Sequence, residues 1–170
     1  MRNVSRVYLR AFEPVDLDRF VAWHTSEENR RFKWDGVLTD DEARHAFKEI
    51  MVCQESGQPT YQAVVRRHDQ ELVGQVGIFF IRDDNDCALA YLIDSAFWGH
   101  GYATEAARLA INEHLGLHPE HLVCAVIPDG HVASERVASK LGMMPASRSV
   151  RAGVAVRRWE LNADKRTYPH

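Results

Sequence analysis

Apolar and polar residues alternate from Val4 to Phe12 (VSRVYLRAF), the two-residue period of a half-buried strand. The period then changes. In EPVDLDRFVAWH, Val15, Leu17, Phe20, Val21 and Trp23 fall near helical spacing, and Pro14 stands where a helix starts. LTDDEARHAFKEIMVCQESG predicts a second helix, with Thr39 as N-cap, acids in the first turn and Gly57 at its end. Between them, TSEENRRFKWDGV reads as an aromatic and charged loop. Three strand-like runs follow, PTYQAVVRR, ELVGQVGIFFIR and CALAYLID, separated by the short turns HDQ and DDND, so an antiparallel meander is the economical arrangement. Ala103, Ala106, Ala107, Ala110 and Ile111 mark the inward stripe of a helix that Gly116 would stop. HLVCAVI is a continuous apolar strand of the kind buried in a parallel pairing. HVASERVASKLG is a further helix with Ala133, Val137, Ala138 and Leu141 inward and Gly142 at its C-cap, and SRSVRAGVAVRRWEL reads as a hairpin turning near Gly153.

The predicted order is β-α-α-β-β-β-α-β-α-β-β in a single domain spanning 1–170, a mixed α/β fold in which a meander feeds a strand-helix-strand crossover. The net charge of −3 lacks the basic face that nucleic acid requires. No apolar run approaches the ~20 residues of a membrane span, and the first residues lack the apolar stretch of a signal peptide. Cys53, Cys87 and Cys124 are widely spaced, with no C-x-x-C. A cytoplasmic protein without a disulfide or zinc framework is therefore expected.

The most informative stretch is FWGHGYATEAARLAI, where Gly99 and Gly101 stand at the mouth of the alanine-rich helix. Glycine permits positive φ and removes the β-carbons that would block close approach. Successive amides from Gly99 to Thr104 can converge on a phosphate there. Neither a dinucleotide fingerprint nor a Walker loop fits, because Thr104 replaces the third glycine and no Gly-Lys-Ser/Thr follows. Spacing alone leaves an anion site and a structural turn both open.

Taken together, LAYLIDSAFWGHGYATEAARLAI, IPDGHVASERVASKLGM, VYLRAFEPVDLDRFVAW and ELVGQVGI resemble the GNAT superfamily of acetyl-coenzyme A dependent N-acetyltransferases. The resemblance is closest to the Rim-type branch that acts on ribosomal-protein N-termini, and it covers nearly the whole chain. It implies a mixed, splayed sheet with ALAYLI and LVCAVI as the splayed strands. It also implies that Trp98, Gly99, His100, Gly101, Tyr102, Ala103 and Thr104 form the coenzyme A pyrophosphate loop, with Trp98 where relatives carry Gln or Arg. The pantetheine arm would pair near Leu92 and Ile93, and a backbone N–H near Leu92 would serve the oxyanion.

Transfer to an amine requires removal of a proton, stabilisation of the oxyanion and protonation of the thiolate. The Glu that many relatives use as base is replaced by Ala88, and the Tyr of their last motif helix by Ala138. Asp86 lies on the same strand face as Ala88 and is a substitute base, set against a solvated turn carboxylate beside Asp83 and Asp84. Ser134 matches a serine implied as acid in the Rim-type branch, set against an ordinary helix-surface serine. His131 replaces an Asn that binds near the coenzyme, and an imidazole titrating near ~6.5 could assist proton transfer there, set against a capping role.

His114, His118 and His121 form a group, but Gly116 and Pro119 break any common helix face and no acid or Cys completes a tetrahedral set, so no metal is expected. Trp23 reads as core, while Phe32 and Trp34 either line the acceptor entrance or pack. Two functional classes stand: an acetyltransferase acting on a protein N-terminus or a small amine, and a coenzyme A binding module that has lost catalysis. The chain would use no nucleic-acid or membrane partner, and the terminal hairpin offers a route to a homodimer.

Overall fold

A computed structural model describes residues 4–33, 35–81 and 86–161. The chain opens with β1 (Val7–Arg10), a 3-10 turn (Pro14–Asp16), α1 (Leu17–His24), the one-turn α2 (Glu27–Arg30) and α3 (Asp40–Glu55). The meander is β2 (Gln62–Arg66), β3 (Leu72–Phe80) and β4 (Asp86–Ile93). After a second 3-10 turn (Ser95–Phe97) come α4 (Tyr102–Leu117), β5 (Leu122–Pro128), α5 (Val132–Lys140), β6 (Met143–Arg151) and β7 (Val154–Leu161). The strands form one sheet in the order β1-β2-β3-β4-β5-β7-β6. All neighbours are antiparallel except β4 and β5, which the α4 crossover makes parallel.

Two helical layers cover the sheet. On one face α4 and α5 bury Ala106, Ala107, Ala110, Ile111 and Leu141 against Leu89, Ile93, Val123 and Trp159. On the other, α1 and α3 bury Phe20, Trp23, Phe47 and Ile50 against Ala63, Val65 and Leu92. Alternation along β4 assigns its odd-numbered side chains to the α4 face and Leu92 to the α3 face. The expected core role of Trp23 holds: it is 1% exposed, and its indole N–H donates to Asp94 Oδ2 at 3.1 Å. Full burial of a large apolar side chain contributes ~1.5–3 kcal/mol.

Several sequence expectations are corrected locally. Val15 sits in the 3-10 turn, whose tighter winding takes it out of register with α1 and leaves it exposed. The charged loop contains α2, started by Ser26, whose hydroxyl accepts from Asn29 N at 3.3 Å. Gly116 does not stop α4. The helix runs to Leu117 and ends at His118, the residue that Pro119 forces out of helical geometry. Ala133 is exposed because only the Ala138 and Leu141 side of α5 meets the sheet. Asp83, Asp84 and Trp34 lie outside the described residues. The terminal hairpin turns at Ala152 and Gly153, both with positive φ, as a two-residue turn requires.

Candidate active site

The parallel pairing of β4 and β5 is short: Asp86, Cys87 and Ala88 oppose Leu122, Val123 and Cys124. Beyond this point β4 stays with β3 and β5 with β7, so the two strands part. Backbone hydrogen bonds at both ends of the β3–β4 ladder, Ile81 N to Asp86 O and Asp94 N to Val73 O, fix which amides face where. Even-numbered β4 residues bond toward β3, and odd-numbered ones point away from it. Leu92, the residue expected to face the ligand, therefore turns its N–H toward Gln75 on β3. The amides of Tyr91 and Ile93 face the opening.

At the same end of the strands lies the mouth of α4. Gly99 and Gly101 have φ of +79° and +82°, and no atom lies within 4 Å of where a β-carbon on Gly99 would sit. Gly101 is the N-cap and carries no side chain to satisfy the helix. The first helical bond runs from Glu105 N to Gly101 O, so the amides of Gly101, Tyr102, Ala103 and Thr104 have no intrahelical acceptor. The side chains around them are fixed. Trp98 donates its indole N–H to Ile93 O at 2.7 Å, which ties the loop to β4. His100 Nδ1 meets Trp98 O at 2.9 Å, and its carbonyl accepts from Arg6 Nη2 at 2.7 Å. Arg6 also pairs with Glu105 and lies over the buried ring of Tyr102. The result is a rigid, uncapped set of donors suited to an anion such as a pyrophosphate.

The third wall is α5. Tyr91 donates its phenol O–H to Ser134 Oγ at 3.1 Å. Burial pushes the Tyr91 phenol up to about 12, against the smaller opposing pull of Ser134, so at neutral pH it remains a donor. Ser134 can then give its own proton onward. Residue type and spacing give no sign of this role for Tyr91: its partner is 43 residues away, and only the fold joins them.

His131, at the N-cap of α5, stacks on Phe32 with ring centroids 4.1 Å apart. Its Nδ1 is buried and has no hydrogen-bond partner among the described residues. Burial, then Lys33 and Arg31, lower its pKa to about 4. The expected titration near ~6–7 is therefore corrected: the imidazole is neutral through that range, a hydrogen-bonding group and a weak base. The stack also places Phe32 at the opening.

Asp86 is not brought to this opening. It lies where β4 and β5 are still paired, about 17 Å along the strand from Tyr91 at ~3.4 Å per residue. Arg158 Nη2 donates to its Oδ2 at 2.6 Å. The expectation that no Cys accompanies the clustered histidines is also overturned, because Cys87 Sγ lies 3.7 Å from His121 Nδ1.

Behind the opening, on the α3 face, lies a buried polar chain. Arg30 Nη1 donates to His24 Nδ1 at 2.7 Å, and His24 Nε2 faces Gln75 Oε1 at 3.4 Å. Burial and the Arg30 charge lower the His24 pKa to about 4. Gln75 pairs with Leu92, so this chain backs the open end of β4. Asn29 Oδ1 accepts from Ser95 N at 2.7 Å and ties α2 to the segment leading into the glycine loop.

A parting strand pair, an uncapped glycine mouth and a hydroxyl pair across the gap agree with the comparisons. Residues 6–144 match the acetyltransferase (GNAT) domain family, and the chain belongs to it. The fold is similar to that of a GNAT-family acetyltransferase from Bacillus anthracis, with a TM-score of 0.81 at 18% identity over 94% of this chain and 96% of that one. It is similar to the ribosomal-protein-S5-alanine acetyltransferase from Vibrio fischeri, with a TM-score of 0.77 at 13% identity over 98% of both chains. Spermidine N-acetyltransferase from Vibrio cholerae, solved with CoA and spermine, gives 0.77 at 14% identity over 95% of this chain and 98% of that one. In sequence, the chain is 36% identical to the uncharacterized protein YkkB of Bacillus subtilis (strain 168) over 75 residues. That match covers 43% of this chain and 44% of YkkB, less than half of either. Among the described residues, no helix is long and apolar enough to cross a membrane.

Proposed function

We propose that the protein transfers an acetyl group from acetyl-coenzyme A directly to a primary amine. The observation that carries this reading is the opening between β4 and β5, where the uncapped mouth of α4 meets the outward amides of Tyr91 and Ile93. The amides from Gly99 to Thr104 hold the pyrophosphate, with Trp98 fastening the loop and His100, Tyr102 and Ala103 completing it. The edge of β4 at Ile93, with Leu92 packed behind it, receives the pantetheine arm. Acetyl-coenzyme A supplies an activated thioester, and the chain supplies orientation and protons. A Tyr91 or Ile93 N–H donates to the thioester carbonyl oxygen as it gains charge. As the C–N bond forms and the C–S bond breaks, Ser134, backed by the phenol of Tyr91, protonates the departing sulfur, and the proton that the acylated nitrogen gives up passes through water to restore the Ser134 hydroxyl. His131 binds and positions the coenzyme through its unpartnered Nδ1 and does not serve as base.

The amine then enters already neutral, so the rate follows the acceptor's own titration, near ~7.7–8.0 for an α-amino group. Charge favours one acceptor class. Arg31 lies over the Phe32 ring that stacks on His131, and its charge disfavours a polycation while attracting an acceptor with an acid group beside its amine. A protein N-terminus rich in acidic residues fits better than a polyamine.

The test is coenzyme A release from acetyl-coenzyme A with acidic N-terminal peptides, neutral peptides, aminoglycosides and spermidine, across pH. Release should be fastest with the acidic peptides. Wild type and His131→Asn should give superimposable pH–rate profiles. Release that no amine accelerates would leave only a coenzyme-binding module. A limb near pH 6–7 that the Asn variant loses would return the base role to His131.

A further inference from the structure

We propose that Cys87, His114 and His121 form a site for one zinc-type divalent metal ion at the closed end of the β4–β5 pair. The three residues come from different elements: β4, the last turns of α4 and the connection entering β5. Their ligand atoms all lie within 4.8 Å of one another. His114 Nε2 is 3.0 Å from His121 Nδ1, and Cys87 Sγ is 3.7 Å from that same nitrogen. A tetrahedral zinc with Zn–N of ~2.0–2.1 Å and Zn–S of ~2.3 Å separates its nitrogens by ~3.3 Å and a nitrogen from a sulfur by ~3.6 Å. The ligands are already near those positions.

Hydrogen bonding alone leaves this arrangement poorly satisfied. Glu120 Oε1 lies 3.3 Å from His121 Nε2, a negative charge that favours the proton on Nε2 and the lone pair on Nδ1. That one lone pair faces both the Cys87 thiol and His114, and it can accept well from only one of them. A metal ion takes all three groups at once. The carboxylate behind His121 also supplies the outer partner that metal-bound imidazoles commonly have.

The surroundings suit a closed site. Cys87 is fully buried and His121 nearly so, while Phe80 meets the rings of His114 and His121 edge-on. His118 stacks on His121 at 4.6 Å and holds its ring in place. One thiolate and two imidazoles select zinc-type ions over magnesium or calcium. Binding releases the Cys87 thiol proton to solvent, and the imidazoles coordinate as neutral ligands. With three protein ligands, water fills the fourth position. The ion would brace the return of the α4 crossover onto β4, about 14 Å along the strand from Tyr91 at ~3.4 Å per residue.

The test is titration of untagged, chelator-treated full-length protein with cobalt(II), followed by zinc. The proposal expects one equivalent bound, with tetrahedral visible bands and a thiolate-to-cobalt charge-transfer band, all removed by zinc. Cys87→Ser should lose the charge-transfer band, and His114→Gln should bind at least tenfold more weakly. Absence of stoichiometric uptake overturns the proposal. So does a cobalt spectrum without the charge-transfer band and unchanged by Cys87→Ser, which would place the metal on His118, Glu120 and His121. Should Cys87→Ser fail to fold, His114→Gln decides: wild-type cobalt affinity in that variant overturns the site.

Discussion

The two ends of β4 are built from the same strand and do opposite things. At Asp86–Ala88 it pairs in parallel with β5, and its side chains are tied down by Arg158, His121 and the α4 core. At Tyr91–Ile93 it keeps β3 but has lost β5, and its outward amides face a gap. The closed end is joined strand to strand and packed against α4, so changes there act on stability. The open end holds its polar groups rigid yet unsatisfied, and in this account that is where binding and chemistry reside.

The largest effect should come from closing the open end sterically. Gly101 has φ of +82°, and an added β-carbon would sit 3.3 Å from Arg6 Nη2. Acetyl-coenzyme A at a hundredfold excess over its Kd should stabilise wild type by ~2.7 kcal/mol. Gly101→Val should abolish that shift, as read by thermal melting. A folded variant with the full ligand-induced shift would move the pyrophosphate elsewhere.

The next effect concerns what holds the open end from behind. His24 is 5% exposed with a pKa of about 4 against an ordinary 6.5, so the unfolded chain binds the extra proton first as pH falls. Its contribution is complete above pH 6.5 and is lost as pH drops toward 4, a change on the order of 3 kcal/mol. Denaturant melts at pH 7, 5.5 and 4.5 should show this slope, and His24→Gln should remove about half of it, because His131 carries a similar shift. An equally steep slope in that variant would assign the acid sensitivity to other groups.

Chemistry at the open end should then separate from binding. Ser134→Ala should lower kcat by ~10²-fold, and Tyr91→Phe by roughly tenfold, with coenzyme affinity nearly unchanged in both. Wild-type turnover in Ser134→Ala, with chemistry rate-limiting, would return Ser134 to the helix surface. The smallest effect belongs to the closed end. Asp86→Asn breaks the pair with Arg158 and should cost about 1 kcal/mol of stability while kcat stays within about twofold. A hundredfold loss of turnover would restore Asp86 as a base and collapse the distinction between the two ends.

Much of this layout is legible in the sequence because it is local. Gly99 and Gly101, the turn between β2 and β3, the alanine stripe of α4 and the Ala152–Gly153 turn are each written within a few residues. What escapes is whatever depends on register or on distant pairing. The direction of the Leu92 amide is set by the β3–β4 ladder, which residue types do not reveal. The Tyr91–Ser134 bond joins residues 43 apart, and Cys87 meets His121 from 34 residues away. His131 looks like a neutral-pH base until Phe32, Arg31 and Lys33 are seen around it. Val15 follows the helical period yet lies outside the helix, because Pro14 and Asp16 wind that turn as a 3-10 segment.

Coenzyme binding is proposed for the open end of β4 and not for the closed one. Backbone hydrogen–deuterium exchange at short times, with and without saturating acetyl-coenzyme A, tests it most directly. New protection is expected at the amides of 99–104 and at Tyr91 and Ile93, with 86–88 and 122–124 unchanged. Protection confined to 86–88 and 122–124, or none at 99–104 in saturated protein, would contradict it.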